Sequence, residues 1–129
     1  MTSLAMTALV VPEYDAAIAF FTEVLGLDLV EDTDLGNGKR WVVVGGDGGG
    51  KLLLAKAAND VQGAAIGHQA GGRVGWFVHT NDFASSSDRL AAHGAIFTEE
   101  PRHEPYGTVA VFTDPWGNRW DLIEHRNAA

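Results

Sequence analysis

An internal repeat constrains this chain more than any other feature. Tyr14 recurs as Phe83, 69 residues later, and Phe21 recurs as Leu90. A glycine closes each stretch, Gly26 in the first and Gly94 in the second. Further on, Gly45-Gly46-Asp47-Gly48-Gly49-Gly50 matches Phe112-Thr113-Asp114-Pro115-Trp116-Gly117 at a spacing of 67, with the Asp and the last Gly coincident. Self-similarity at a fixed period means one supersecondary unit copied in tandem. Whatever the unit is, the fold must accommodate it twice.

Local patterns define the unit. Leu4–Val11 is apolar and ends at Pro12, which predicts a strand. Ile18, Phe21 and Leu25 recur at helical spacing between Tyr14 and Leu25, and Gly26 closes that helix. Strands are predicted over Leu27–Thr33, Arg40–Val44 and Lys51–Lys56, separated by turns at 34–38 and 45–50. Residues 58–72 are small, polar and glycine-containing, and read as a linker. The second copy has a strand at Arg73–Thr80 and a helix capped by Asp82 that runs to His93. Strands follow at Ala95–Glu99, Val109–Phe112 and Arg119–Glu124, with a loop at Pro101–Gly107. Asp114-Pro115-Trp116-Gly117 has the residues of a type I turn. The expectation is one α+β domain of two tandem βαβββ modules, 1–57 and 73–126, whose curled sheets enclose a trough. Small ligands favour such a place.

Composition narrows the function. The 129 residues carry 9 Lys and Arg against 17 Asp and Glu, a net charge of −8. The basic residues are scattered, which argues against nucleic acid as a partner. No apolar stretch approaches the length of a membrane span. No Lys or Arg precedes Leu4–Val11, so no signal peptide is legible, and a cytoplasmic protein is the expectation. The chain has no cysteine, which removes disulfides, thiolate nucleophiles and sulfur-ligated zinc. Gly45-x4-Gly50-Lys51 spells part of a phosphate-binding loop, but Leu52 and a following strand stand where Ser/Thr and a helix are needed. Asp32-x-Asp34 with Gly36 hints at a calcium loop, but Val43 occupies its twelfth position.

The doubled unit, Ala17-Ile18-Ala19-Phe20-Phe21 with Val24-Leu25-Gly26, and the run Phe112-Thr113-Asp114-Pro115-Trp116-Gly117-Asn118-Arg119-Trp120-Asp121 resemble the vicinal oxygen chelate superfamily. That superfamily includes glyoxalase I, extradiol dioxygenases, fosfomycin-resistance enzymes and bleomycin-binding resistance proteins. The resemblance implies four side chains holding a divalent ion in the metal-dependent members. Their positions fall here on Met6, Leu54, Gly75 (or Trp76, with a one-residue slip) and Asp121. Three of the four lack a hard donor, and one carboxylate does not hold such an ion. No metal and no other cofactor is therefore expected, and the resemblance points to the metal-free, ligand-binding branch.

Candidate ligand contacts are Phe77, His79, Tyr106, Trp116, Asp121, Leu54 and Met6. Positions 75, 77 and 79 share one strand face, the one carrying the ligand position implied by the resemblance. On it His79 offers a hydrogen-bonding or proton-transferring group, or else simply ends a strand. Asp121 suits a cationic group or a general base, or else is tied up by an Arg or a backbone amide. The resemblance implies that the loop before Tyr106 borders the trough, and Trp116, third in its turn, either edges the trough or lies over the sheet. Trp76 and Trp120 fall on the opposite face and read as core. His68, His103 and His125 read as solvated, and Glu104 and Glu124 as surface. The leading expectation is a protein that sequesters a small, flat, aromatic or cationic molecule, and the resemblance to the metal-free branch implies a homodimer. The alternatives are a glyoxalase-like lyase, isomerase or dioxygenase with a non-standard site, and a metabolite sensor without chemistry.

Overall fold

The structure is a computed structural model and describes residues 1–126. It divides into two compact units, Met1–Ile66 and Gly67 onward. No helix among the described residues is long and apolar enough to cross a membrane.

The first unit contains β1 (Thr7–Val11), α1 (Tyr14–Ala19), β2 (Asp28–Gly36), β3 (Lys39–Gly45), β4 (Lys51–Lys56) and α2 (Asp60–Ala65). Its sheet has the order β1-β4-β3-β2, with β1 and β4 parallel and the other pairs antiparallel. Leu9, Val11, Val42, Val44, Leu52 and Leu54 are all buried on one sheet face. β2 is the outer strand, exposed along its whole length and broken in register at two places.

The second unit contains β5 (Val74–His79), α3 (Phe83–Ala92), β6 (Ile96–Phe97), β7 (Arg102–Glu104), β8 (Gly107–Thr113) and β9 (Arg119–His125). Its sheet runs β5-β9-β8-β6, with β7 also on β8. This is the order of the first sheet, including the parallel pair formed by the first and last strands. Phe112, Trp120 and Leu122 are buried on the face opposite Asp121, together with Leu90 and Phe83 of α3. The Trp76 ring stacks on Trp120 with centroids 5.5 Å apart, which fits the core reading of both.

Five local features differ from the sequence reading. First, the strand expected from Leu4 begins at Thr7, and Leu4 is exposed.

Second, the helix expected to Leu25 is α-helical only to Ala19 and continues as a π-helical turn over Phe20–Val24. There the Leu25 N–H donates to the Phe20 carbonyl, five residues back, at 2.9 Å. The widened turn accompanies burial of both Phe20 and Phe21, whose rings meet edge to face at 5.3 Å.

Third, the expected linker 58–72 carries α2. The Asn59 side chain accepts from the Gln62 N–H at 2.9 Å, and Gln62 Oε1 accepts from the Ala58 N–H at 2.7 Å. The Asn59 cap starts the helix, with Gln62 reaching back one residue beyond it, and Asn59-x-x-Gln62 is the sequence signal. Fourth, the loop expected at Pro101–Gly107 contains β7, paired with β8.

The turn after β2 is also tighter than expected. It is Asn37-Gly38, both with positive φ (57° and 78°), the conformation that a two-residue hairpin favours.

Candidate functional site

The faces of β5, β9 and β8 build a candidate site within the second unit. Along β5 exposure alternates: Gly75, Phe77 and His79 are open, whereas Val74, Trp76 and Val78 are partly covered. Phe77 lies beside Asp121 of β9, which lies beside Val111 of β8. The Phe77 side chain is 61% exposed although it is large and apolar. Next to it, Asp121 Oδ1 is buried and accepts no hydrogen bond from the described residues. An unpaired buried acceptor costs free energy until a donor reaches it.

Charges bias Asp121. Its carboxyl is pushed above the ordinary aspartate range, chiefly because burial disfavours the charged form. Arg102 opposes that push, Glu99 adds to it, and Arg119 opposes it. Arg102 is itself occupied, with Nε donating to Glu99 Oε1 at 2.9 Å and Nη1 to Glu104 Oε1 at 3.3 Å. These acids hold Arg102 above its usual range, and Asp121 Oδ1 has no hydrogen-bond partner among the described residues.

His79 and His125 meet at the C-terminal ends of the parallel strands β5 and β9. Their Nε2 atoms are 3.0 Å apart and their ring centroids 4.5 Å. Tyr106 is half exposed, with its ring 6.3 Å from that of His125. Its backbone carbonyl accepts from the Arg126 N–H at 2.7 Å, which pins this end of the sheet. A cleft of about 750 Å³ opens here, lined by His79, Asn81, Thr108, Glu124, His125 and Arg126 among others. Gly107 faces His125 across the ladder. Its φ is +152°, and a Cβ there would overlap the Glu124 carbonyl oxygen, so only glycine fits.

The opposite end is built by Asp114-Pro115-Trp116-Gly117. The Gly117 N–H donates to the Asp114 carbonyl at 3.0 Å, closing the expected turn. Asp114, only 3% exposed, spreads four hydrogen bonds over its carboxylate. Oδ1 accepts from the N–H groups of Trp116 and Asn118, and Oδ2 from Asn118 Nδ2 and Trp120 Nε1. Asn118 Oδ1 in turn accepts from the Gly67 N–H at 3.2 Å. The motif that carried the resemblance is thus a structural knot. β9 separates Trp116 from the His79–His125 end by about 20 Å.

Residues 3–122 match the Glyoxalase/Bleomycin resistance protein/Dioxygenase superfamily. The chain belongs to this superfamily. An uncharacterized protein of Shewanella frigidimarina is 47% identical to it over 125 residues, covering 95% of this chain and 93% of that protein. The crystal structure of UcmS2 superposes with a TM-score of 0.75 at 29% identity, covering 95% of this chain and 98% of that one. TnmS3, an antibiotic binding protein from Streptomyces sp. CB03234, superposes with a TM-score of 0.66 at 27% identity, covering 98% of this chain and 99% of that one.

The superfamily's ion can be tested against the residues at its positions. Met6 offers a thioether. Gly75 offers nothing, and a Cβ built there would stand 2.9 Å from the Ala70 Cβ, so even a small side chain is crowded. Leu54 must be corrected. Leu9 pairs with Leu54 as Val78 pairs with Leu122, and Ala8 with Leu53 as Phe77 with Asp121. The counterpart of Asp121 is therefore Leu53, while Leu54 is fully buried on the other sheet face. Either leucine lacks a donor atom. Among the described residues no three His, Asp or Glu side chains stand close enough to hold an ion together. One carboxylate and a thioether do not fit a hard divalent ion.

Of the seven expected contacts, the second unit brings Phe77 beside Asp121, sets His79 and Tyr106 each against His125, and places Trp116 at the far end. Met6 is half buried just before β1. His125, Glu99 and Arg102 were missed. Alternation along β9 from Asp121 places His125 on the Phe77 face, which was the available signal. Glu124 also differs from its surface reading: its Oε1 accepts from the Phe83 N–H at the start of α3 at 2.7 Å.

Proposed function

We propose that the Phe77–Asp121 face binds a small organic molecule with a flat apolar body and a cationic N–H group, and that it does so without a superfamily-type metal. The observation that carries this reading is the adjacency of an exposed aromatic ring and a buried carboxylate oxygen with no donor. The ring offers a stacking surface, and a protonated amine satisfies the oxygen and offsets the cost of its burial. A net charge of −8 favours approach of a cation. That TnmS3 is an antibiotic binding protein supports sequestration as the role. The proposal extends to a homodimer in the cytoplasm, and sedimentation velocity tests the dimer.

The test is thermal melting and calorimetry of EDTA-treated, tag-free protein against cationic aromatic antibiotics and their neutral analogues. At 100 times its dissociation constant, a ligand adds about 2.7 kcal/mol. The expected result is stabilisation by cationic members, reduced in F77A and D121N. No stabilisation by any member, or an undiminished shift in both variants, overturns the reading. So does a saturable Mn²⁺ or Fe²⁺ shift that D121N abolishes.

A second reading has one observation in its favour. The raised proton affinity of Asp121 makes its carboxylate a stronger base than an ordinary aspartate, which suits proton abstraction. Turnover of the methylglyoxal–glutathione hemithioacetal that D121N abolishes would establish a lyase instead.

A further inference from the structure

We propose that His79 and His125 form a site for one divalent late transition ion, Cu²⁺ or Ni²⁺, apart from the superfamily's metal position. The geometry of the two rings carries the inference. A straight N–H···N hydrogen bond between imidazoles with nitrogens 3.0 Å apart would hold the ring centres about 5.3 Å apart. The observed centres are 4.5 Å apart, so the rings lean away from the line joining their nitrogens. An ion held at about 2.1 Å by two imidazoles at right angles spaces the nitrogens by about 3.0 Å and the centres by about 4.6 Å. Both observed distances fit that arrangement. Imidazole donors bind Ni²⁺ and Cu²⁺ more tightly than the earlier divalent ions of the series, which selects those two as the ions to test.

The surroundings admit an ion. The pair borders the cleft of about 750 Å³, and Gly107 opposite His125 leaves no side chain in the way. The positive charge nearby is Arg126, and its Nη2 donates to the Glu104 carbonyl at 3.4 Å. Glu124 lines the cleft too, but its Oε1 is held by the Phe83 N–H. Two imidazoles are thus the protein's donors, and the remaining positions belong to water or an incoming small molecule. The register is built in: β5 and β9 are parallel and hydrogen-bonded up to Thr80 N–H···O=C Ile123 at 2.8 Å. This inference uses different atoms from the ligand reading and does not depend on it.

The experiment titrates Cu²⁺ into full-length, tag-free, EDTA-stripped protein, followed by calorimetry and electron paramagnetic resonance. Ni²⁺-dependent melting serves as a second readout. The expected result is one equivalent bound with hyperfine structure from two nitrogens. His79→Gln and His125→Gln should each weaken binding by about tenfold or more. H68Q, H93Q and D121N should leave it unchanged. Both variant sites are exposed, so metal-free melting close to wild type shows that the variants are folded. Equal affinity in wild type and H125Q overturns the proposal, as does the absence of saturable binding. Binding lost in D121N alone also overturns it, and would instead revive the superfamily position.

Discussion

Replacing Asp114 with alanine should be among the most damaging single changes in the second unit. The carboxylate accepts four hydrogen bonds, and the donors Asn118 N–H, Asn118 Nδ2 and Trp120 Nε1 are buried with it. Each buried donor left without an acceptor costs about 1–3 kcal/mol. Three such donors, partly relaxed, give about 4 kcal/mol. For a chain of this size each kcal/mol moves the melting temperature by roughly 3–5 °C. D114A should therefore melt roughly 12–20 °C below wild type. D114N keeps an acceptor for one pair of donors and should lose about half as much. The loss should also travel: Asn118 is held by Asp114 and itself holds the Gly67 N–H. Hydrogen exchange at the Gly67 amide should accelerate in D114A along with the drop in Tm. Melting within about 3 °C of wild type would refute the reasoning. A large drop with unchanged Gly67 protection would show that Asn118 is oriented by something else.

Two further changes test other parts of the structure. Asp121 binds its proton more tightly folded than unfolded, so ionising it opposes folding, and its contribution declines as pH rises from the ordinary aspartate range through its raised folded value. D121N should melt no lower than wild type at pH 7, with the difference vanishing in acid; a variant markedly less stable at pH 7 contradicts this. Gly107→Ala puts a Cβ into the Glu124 carbonyl at φ +152° and should cost at least about 2 kcal/mol, read as a lower urea midpoint.

Much of the fold was legible because it is written twice. The repeat, the strand faces and the Asp82 cap, which accepts from the Ser85 N–H at 3.1 Å, all follow from local pattern. The slip at Leu54 has a physical cause. The Asp and Gly coincidences between 45–50 and 112–117 set those turns one residue out of step with the strands they join, where Gly45 ends β3 as Thr113 ends β8. A run of glycines matches another glycine in several registers, and a one-residue error moves every side chain to the other face. His125 was missed for a different reason. Its partner lies 46 residues away in the sequence, so nothing local distinguishes it from a solvated histidine near the chain end. Local pattern makes Asp114 a turn residue, and its bond to the Trp120 indole is visible only once β9 folds back beside it.

The outer strand β2 has a consequence for life at high concentration. As the last strand of its four-stranded sheet it turns one row of backbone groups away from β3, with Leu29, Val30 and Leu35 exposed on it. Such a row is a template on which a stray strand can grow. Four of the chain's 17 acidic residues, Asp28, Glu31, Asp32 and Asp34, lie on this one strand, and its two register breaks twist it away from flatness. Arg40 neutralises one of them, pairing with Asp32 at 2.6 Å, and leaves the strand negative. An approaching copy meets its own charge before it can dock, so the same strand that completes the first sheet also guards the protein against fibre growth.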